Sequence, residues 1–180
     1  MLAEYKNELI VYFSSCDVVN NHLKHLKYYQ HKLNLENIIT KKSKNYIIFR
    51  LPQVVGKGGN ENNFLNYFVH NIQNKNKIQA YIETKKNILD LDDVYKICDY
   101  ILSKHVYRNQ VVNLVNTEYF YVLDIIKTIE EVFNIRANVE RKNIDLGWHY
   151  NNDISNDMIK ASGVVFNKNY IREVLLKYYL

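Results

Sequence analysis

Tyr28 and Lys32 stand four residues apart, a spacing that stacks two side chains one turn apart on one face of a helix. A phenol with an ordinary pKa of about 10 is a poor base at neutral pH, but a neighbouring ammonium favours its ionised form and lowers that pKa. Such a pair can move a proton to or from a substrate oxygen. Spacing alone does not single it out, because Tyr81/Lys85 and Tyr100/Lys104 repeat it in a chain with 16 tyrosines. Context does. Only Tyr28 follows an apolar, β-rich run that closes on a hydroxyl pair, Phe13-Ser14-Ser15-Cys16-Asp17-Val18.

Those residues need elements to hold them. Residues 9–13 (Leu-Ile-Val-Tyr-Phe) form the continuous apolar run expected of a strand buried on both faces of a parallel sheet. A polar turn over 14–21 follows. From 22 to 42, apolar residues recur at helical spacing (Leu26, Tyr29, Leu33, then Leu35, Ile38, Ile39). Residues 46–49 read as a second buried strand, ended by Arg50-Leu51-Pro52 before a glycine-rich loop over 56–63. Strand, helix, strand is a βαβ unit. Downstream, the pattern predicts a helix over 62–74, short strands over 78–82 and 87–89, and a helix opened by Asp90-Leu91-Asp92-Asp93, whose carboxylates suit a helix start. A strand over 111–115, a helix over 122–133, a short strand over 136–140 and a closing helix over 169–179 complete it.

A chain of 180 residues with 47% hydrophobic content can bury a substantial core, in one domain or one plus a small lobe. The net charge of +5 suits an anionic partner. Lysines are scattered among carboxylates, however, with no run of like charge and no arginine-rich arm, which argues against nucleic acid. Cys16 and Cys98 lie far apart with no CxxC pair, so neither a disulfide framework nor a zinc site is expected and a reducing cytoplasm is the default. The N-terminus reaches charge at once, unlike a signal peptide or membrane span. His22, His25 and His31 read as a solvated helix face among lysines rather than metal ligands. Asp90, Asp92 and Asp93 lack the spacing and glycine of a calcium loop.

The ordered motifs resemble a known family. A strand closing on Ser14-Ser15, then Tyr28-x-x-x-Lys32 with Glu36 four residues on, then a strand leading into Arg50-x-Pro52-x-x-x-Gly56, is similar to the catalytic half of the extended short-chain dehydrogenases/reductases, the nucleotide-sugar epimerases, 4,6-dehydratases and keto-sugar reductases. Further on, Asn63 opens a helix where the family places an amide near the substrate diphosphate. The segment from Lys86 to Val94 resembles its Arg-Asp-Phe-Ile-Tyr-Val-Asp-Asp-Val stretch, and the tail from Asp153 to Gly163 resembles its Asp-x-Ser-Lys…Leu-Gly ending. The resemblance implies an α/β fold, an incomplete Rossmann-like parallel sheet with a small α/β substrate-binding lobe. Residues 1–58 would be the remnant of the dinucleotide-binding domain, and 59–180 the substrate-binding region with a returning strand near 110–115. It implies that Tyr28 takes a proton from a sugar hydroxyl, that Lys32 holds the nicotinamide ribose and lowers the Tyr28 pKa, and that Ser15, or Cys16 if the register shifts by one, hydrogen-bonds the reacting oxygen. Asn63 and Lys86 would hold the diphosphate of a nucleoside-diphosphate sugar, and Pro52 would lie beside NAD or NADP.

The sequence departs from that family in one large respect. The strand, Gly-x-x-Gly-x-x-Gly, helix unit that brings backbone to a dinucleotide pyrophosphate is absent, and Gly56-Lys57-Gly58-Gly59 does not match it. About a hundred residues of the doubly wound fold would be missing. Lys86 stands where Arg is usual, which keeps the charge and loses the bidentate fork. The expected consequence is a protein not active alone, with an exposed sheet edge that a second copy or another partner covers.

Overall fold

The computed structural model describes residues 8–58, 60, 63–147 and 149–180. The charged N-terminus, Gly59 of the glycine cluster and Asn62 at the expected helix start lie outside the described residues. The chain runs β1 (Ile10–Ser15), a 3-10 turn (Cys16–Val19), α1 (Lys27–Lys42), β2 (Tyr46–Leu51), β3 (Gln53–Val55), α2 (Phe64–Gln73), β4 (Lys77–Tyr81), β5 (Lys85–Lys86) and β6 (Ile88–Asp90). It continues through α3 (Leu91–Ser103), β7 (Gln110–Asn113), β8 (Phe120–Tyr121), α4 (Val122–Phe133), β9 (Asn138–Lys142), α5 (Asn156–Ala161) and α6 (Tyr170–Tyr179). It divides into two compact units. The first holds the chain up to Pro52, Asp93–Val115 and Tyr150–Val165; the second holds Gln53–Asp92, Asn116–His149 and Phe166–Leu180. The chain thus re-enters the first unit twice, the first time through the segment that holds the strand near 110–115.

The first unit is built on a parallel sheet in the order β1-β2-β7. Ile10 lies opposite Tyr46 and Ser15 opposite Leu51, while Ile47 faces Gln110 and Arg50 faces Asn113. With neighbours on both edges, β2 buries Ile47, Ile48 and Phe49 completely. The expectation for residues 9–13 is corrected. Among the described residues β1 pairs only with β2, most of its side chains are half-buried, and Phe13 is 46% exposed while stacking on Phe49. An apolar run marks a strand but does not say how many neighbours cover it.

Helix α1 starts five residues later than its periodicity predicts. Asn20 explains the delay, because its backbone carbonyl accepts the Leu23 and Lys24 amides at 3.0 and 2.8 Å, and its side-chain oxygen accepts the His22 amide at 3.0 Å. An asparagine that ties up the following backbone holds it in a turn.

In the second unit β3 pairs with β6 and β4 with β9, both parallel, whereas β5 and β8 are antiparallel, with Lys85 opposite Tyr121. Helices α2, α4 and α6 share one apolar core through Leu65, Phe68, Ile72, Ile125, Ile129 and Leu175. No helix among the described residues is long and apolar enough to cross a membrane.

Candidate active site

Strand β1 delivers Ser14 and Ser15 to its C-terminal end. The Ser15 backbone is still extended, and its hydroxyl accepts the Asp17 amide at 3.2 Å, capping the turn that follows. Cys16 is fully buried, and its thiol donates to the Arg50 carbonyl at 3.3 Å. Burial, with the Asp17 carboxylate beside it, pushes that thiol far up from its ordinary pKa, so Cys16 is a packing group and Ser15 is the accessible member of the two. The Ser14 hydroxyl is buried without a hydrogen-bond partner.

Tyr28 and Lys32 occupy the first turns of α1. Tyr28 is 60% exposed, with its ring edge-on to Tyr29 at 5.1 Å between centroids. The Lys32 ammonium donates to the Phe13 carbonyl at 2.9 Å. It also lies 5.4 Å from the Tyr12 ring centroid and 5.5 Å from that of Tyr28. The structure therefore gathers Lys32, the Tyr28 ring and the end of β1. Partial burial pushes the Tyr28 phenol up from its ordinary pKa. Burial likewise pushes Lys32 down, against the opposing pull of Glu36.

Glu36 and Arg50 explain how this helix is held to the sheet. The Arg50 guanidinium binds the Glu36 carboxylate in a fork, with contacts of 3.0 and 2.6 Å, and the Glu36 side chain is 3% exposed. Pro52 closes β2, where the chain leaves the first unit. In the second unit Gly56 packs so closely on Leu91 that a Cβ there would come within 3.0 Å of its side chain.

A second group near Ser15 was not foreseen. The buried Asp17 carboxylate accepts from Asn20 Nδ2 at 3.0 Å, from the Tyr29 hydroxyl at 3.4 Å and from the Tyr150 hydroxyl. It ties the end of β1, the turn, α1 and a segment 133 residues away. No local pattern signals a partner at that separation. Burial, then the Asp17 charge, pushes the Tyr29 phenol up to about 12. A folded-state pKa above the unfolded value means stabilisation present below about pH 10 and lost as pH rises through about 12. In ultraviolet titration, the difference between wild type and Tyr29→Phe should show a phenol ionising near pH 12. Asp17→Asn should move that transition toward 10 without restoring it fully, because burial remains.

In the second unit, Lys86 on β5 lines a cavity of about 470 Å³ together with Gln53, Phe64, Tyr67, Tyr81 and Thr84. Its ammonium lies 5.5 Å from the Phe64 ring centroid. Asn63 caps α2 with its backbone, its carbonyl accepting the Tyr67 amide at 2.8 Å. Its side chain makes no capping bond, and it does not line that cavity. The acidic cluster opens α3 as expected, with Asp90 accepting the Asp92 amide at 2.9 Å. It also anchors α6: Asp90 accepts from Lys177 at 2.6 Å and from the Tyr178 hydroxyl at 2.5 Å.

A three-stranded parallel sheet and a separate α/β unit give this chain a fold similar to that of solved extended short-chain dehydrogenases/reductases. Among solved structures, dTDP-glucose 4,6-dehydratase from Bacillus anthracis in complex with NAD matches with a TM-score of 0.74 at 14% identity, over 97% of this chain and 63% of that one. RMD from Pseudomonas aeruginosa complexed with NADPH matches with a TM-score of 0.70 at 16% identity, over 97% and 66%. UDP-glucuronic acid 4-epimerase from Bacillus cereus, in complex with a UDP-sugar analogue and NAD, matches with a TM-score of 0.70 at 14% identity, over 93% and 59%. The chain spans about three fifths of these proteins. No family model and no curated protein matches the sequence.

The residues present fit a nicotinamide dinucleotide at one end only. Lys32 and Ser15 stand at the sheet end, but no Gly-x-x-Gly-x-x-Gly turn links a strand to a helix among the described residues. Gly56, at the head of the glycine cluster, is set by packing on Leu91. The pyrophosphate has no cradle on these residues.

Proposed function

We propose that this chain is the substrate-handling and proton-transferring part of an NAD(P)-dependent nucleotide-sugar epimerase, dehydratase or reductase of surface-polysaccharide synthesis, incomplete by itself. The observation that carries this reading is the fold match over 97% of the chain to enzymes of that kind, with the Tyr28-Lys32 pair kept at the end of β1. Residues up to 58 would be the remnant of the dinucleotide-binding domain, with Lys32 and Pro52 toward the cofactor, and the remainder would serve the substrate. Tyr28 is the proton-transfer group and Ser15 the hydroxyl that binds the reacting oxygen. Protonated, Tyr28 would deliver a proton to the oxygen of a keto-sugar in the reductive direction, and ionised it would accept one in the reverse direction. Lys86, with Asn63 near the helix start, would hold the diphosphate. Dinucleotide binding would fall to protein beyond the described residues, and the open edge of β1 would be covered by a second copy of the chain or by that partner. Two free, buried cysteines fit a reducing, cytoplasmic setting.

A second reading, a non-catalytic nucleotide-sugar-binding module, is favoured by the missing cradle and by the Lys32 ammonium being engaged with the Phe13 carbonyl. Calorimetry with UDP- and dTDP-sugars, and nicotinamide absorbance with and without the dinucleotide-binding part, separates the two. Turnover in the completed protein supports the enzyme, binding without turnover supports the module, and no binding defeats both. Lys86→Met should weaken UDP binding by about 1.5–3 kcal/mol, the loss of one charged hydrogen bond, as calorimetry would show.

A further inference from the structure

Thr84 is 1% exposed, and three of its four hydrogen bonds join it to residues that line the cavity. Its amide donates to the Tyr81 carbonyl at 3.1 Å and its carbonyl accepts the Val122 amide at 3.0 Å. Its hydroxyl donates to the Ile144 carbonyl at 3.1 Å and accepts the Leu146 amide at 2.9 Å. Tyr81, Val122 and Leu146 all line the cavity that also holds Lys86. One threonine therefore sets three of its walls.

The third wall is the unusual one. Residues 143–147 leave the end of β9 without regular structure, and Ile144 and Leu146 are 42% and 39% exposed. Leu146 lines the cavity while still partly open to water, so an apolar group seated in the cavity would cover it. The segment lies close along β5, since a Cβ on Gly147 would come within 3.2 Å of the Lys85 amide nitrogen. The Gly147 amide, turned back, donates to Asp145 at 2.7 Å. Fastening across to Thr84 rests on the hydroxyl, which both donates and accepts, as a methyl cannot.

We infer that residues 143–147 are a strap fastened by the Thr84 hydroxyl, which presents Leu146 as the apolar wall for the nucleoside of a nucleoside diphosphate while Lys86 meets its phosphates; Thr84 is thereby a positioning residue for substrate binding. A ligand with a flat ring at one end and anionic charge at the other matches a cavity lined by Phe64, Tyr67, Tyr81 and Leu146 with one cation. The inference rests on the nucleotide-sugar reading above.

The test uses the full chain, with UDP and dTDP as probes in calorimetry and amide exchange at Leu146 as the structural readout. Thr84→Val keeps the shape and removes both hydroxyl bonds. It should weaken binding by about tenfold and speed Leu146 exchange, whereas Thr84→Ser should restore both. Leu146→Ala keeps the backbone amide that donates to the Thr84 hydroxyl and should weaken binding while that amide stays protected. If wild type binds UDP or dTDP and Thr84→Val binds equally well, or Thr84→Ser fails to rescue, the strap is overturned while the nucleotide reading stands. If wild type binds neither, the nucleotide-sugar reading is overturned and this inference with it.

Discussion

Replacing Glu36 by alanine is expected to cost about 3–5 kcal/mol of stability, because it leaves a guanidinium buried without its counter-charge. The Arg50 side chain is only 18% exposed, and both of its bonds to Glu36 are lost together. Water cannot replace them fully at that burial, and domains of this size are stabilised by only about 5–15 kcal/mol in all. The backbone at Arg50 adds to the damage, since its carbonyl accepts from Cys16 Sγ and from the Leu114 amide, so a displaced Arg50 disturbs β1 and the exit from β7. Denaturant unfolding monitors the loss. The double variant Glu36→Leu/Arg50→Met should be markedly more stable than Glu36→Ala alone, because an apolar pair leaves no unpaired charge. A single variant no worse than the double one would show that the ion pair does not dock α1. As Lys32 lies one turn before Glu36 on the same helix face, the same substitution should also loosen the ammonium from the Phe13 carbonyl.

How far the sequence reveals this molecule depends on the range of the interactions involved. Helix α4 is found at its observed bounds because apolar residues recur at 3.6-residue spacing from Val122 to Phe133 and bury Ile125 and Ile129. The strands of two residues, β5 and β8, are too short to show any period, although they place Lys86 at the cavity. The start of α1 is misjudged because side-chain capture by Asn20 overrides a helical pattern. The motif residues Glu36 and Arg50 turn out to be partners, which order along the chain suggests only through resemblance. Asp17 and Tyr150, like Asp90 and Lys177, meet through tertiary folding across 133 and 87 residues. Nothing local to either residue encodes such a meeting. The state of Tyr28 is a further case. Spacing brings an ammonium within reach of the ring, but the balance of burial and charge that sets the phenol's pKa is a property of the folded site.

Tyr28→Phe is expected to reduce turnover of the completed protein about 10²–10⁴-fold, the usual contribution of one positioned proton-transfer group. The substitution removes only a hydroxyl from a 60% exposed ring, so the fold and the Lys32 contact with the ring should persist. The cavity residues all belong to the second unit, which makes UDP affinity the control: it should not change. The pH dependence carries the sharper information. Burial raises the Tyr28 pKa above its ordinary value, so in the proposed role the phenol would act as an acid. Its contribution is then fully present below about pH 10 and declines only as pH rises beyond that. A base made by a lowered pKa has the opposite signature, with turnover climbing as pH rises through neutrality. Measuring keto-sugar reduction across that range in wild type and Tyr28→Phe decides between them. A wild-type profile that rises between about pH 6 and pH 8 and is flattened by Tyr28→Phe would show that binding of substrate and cofactor reverses the effect of burial. A flat neutral profile lost only at high pH would establish Tyr28 as the proton donor.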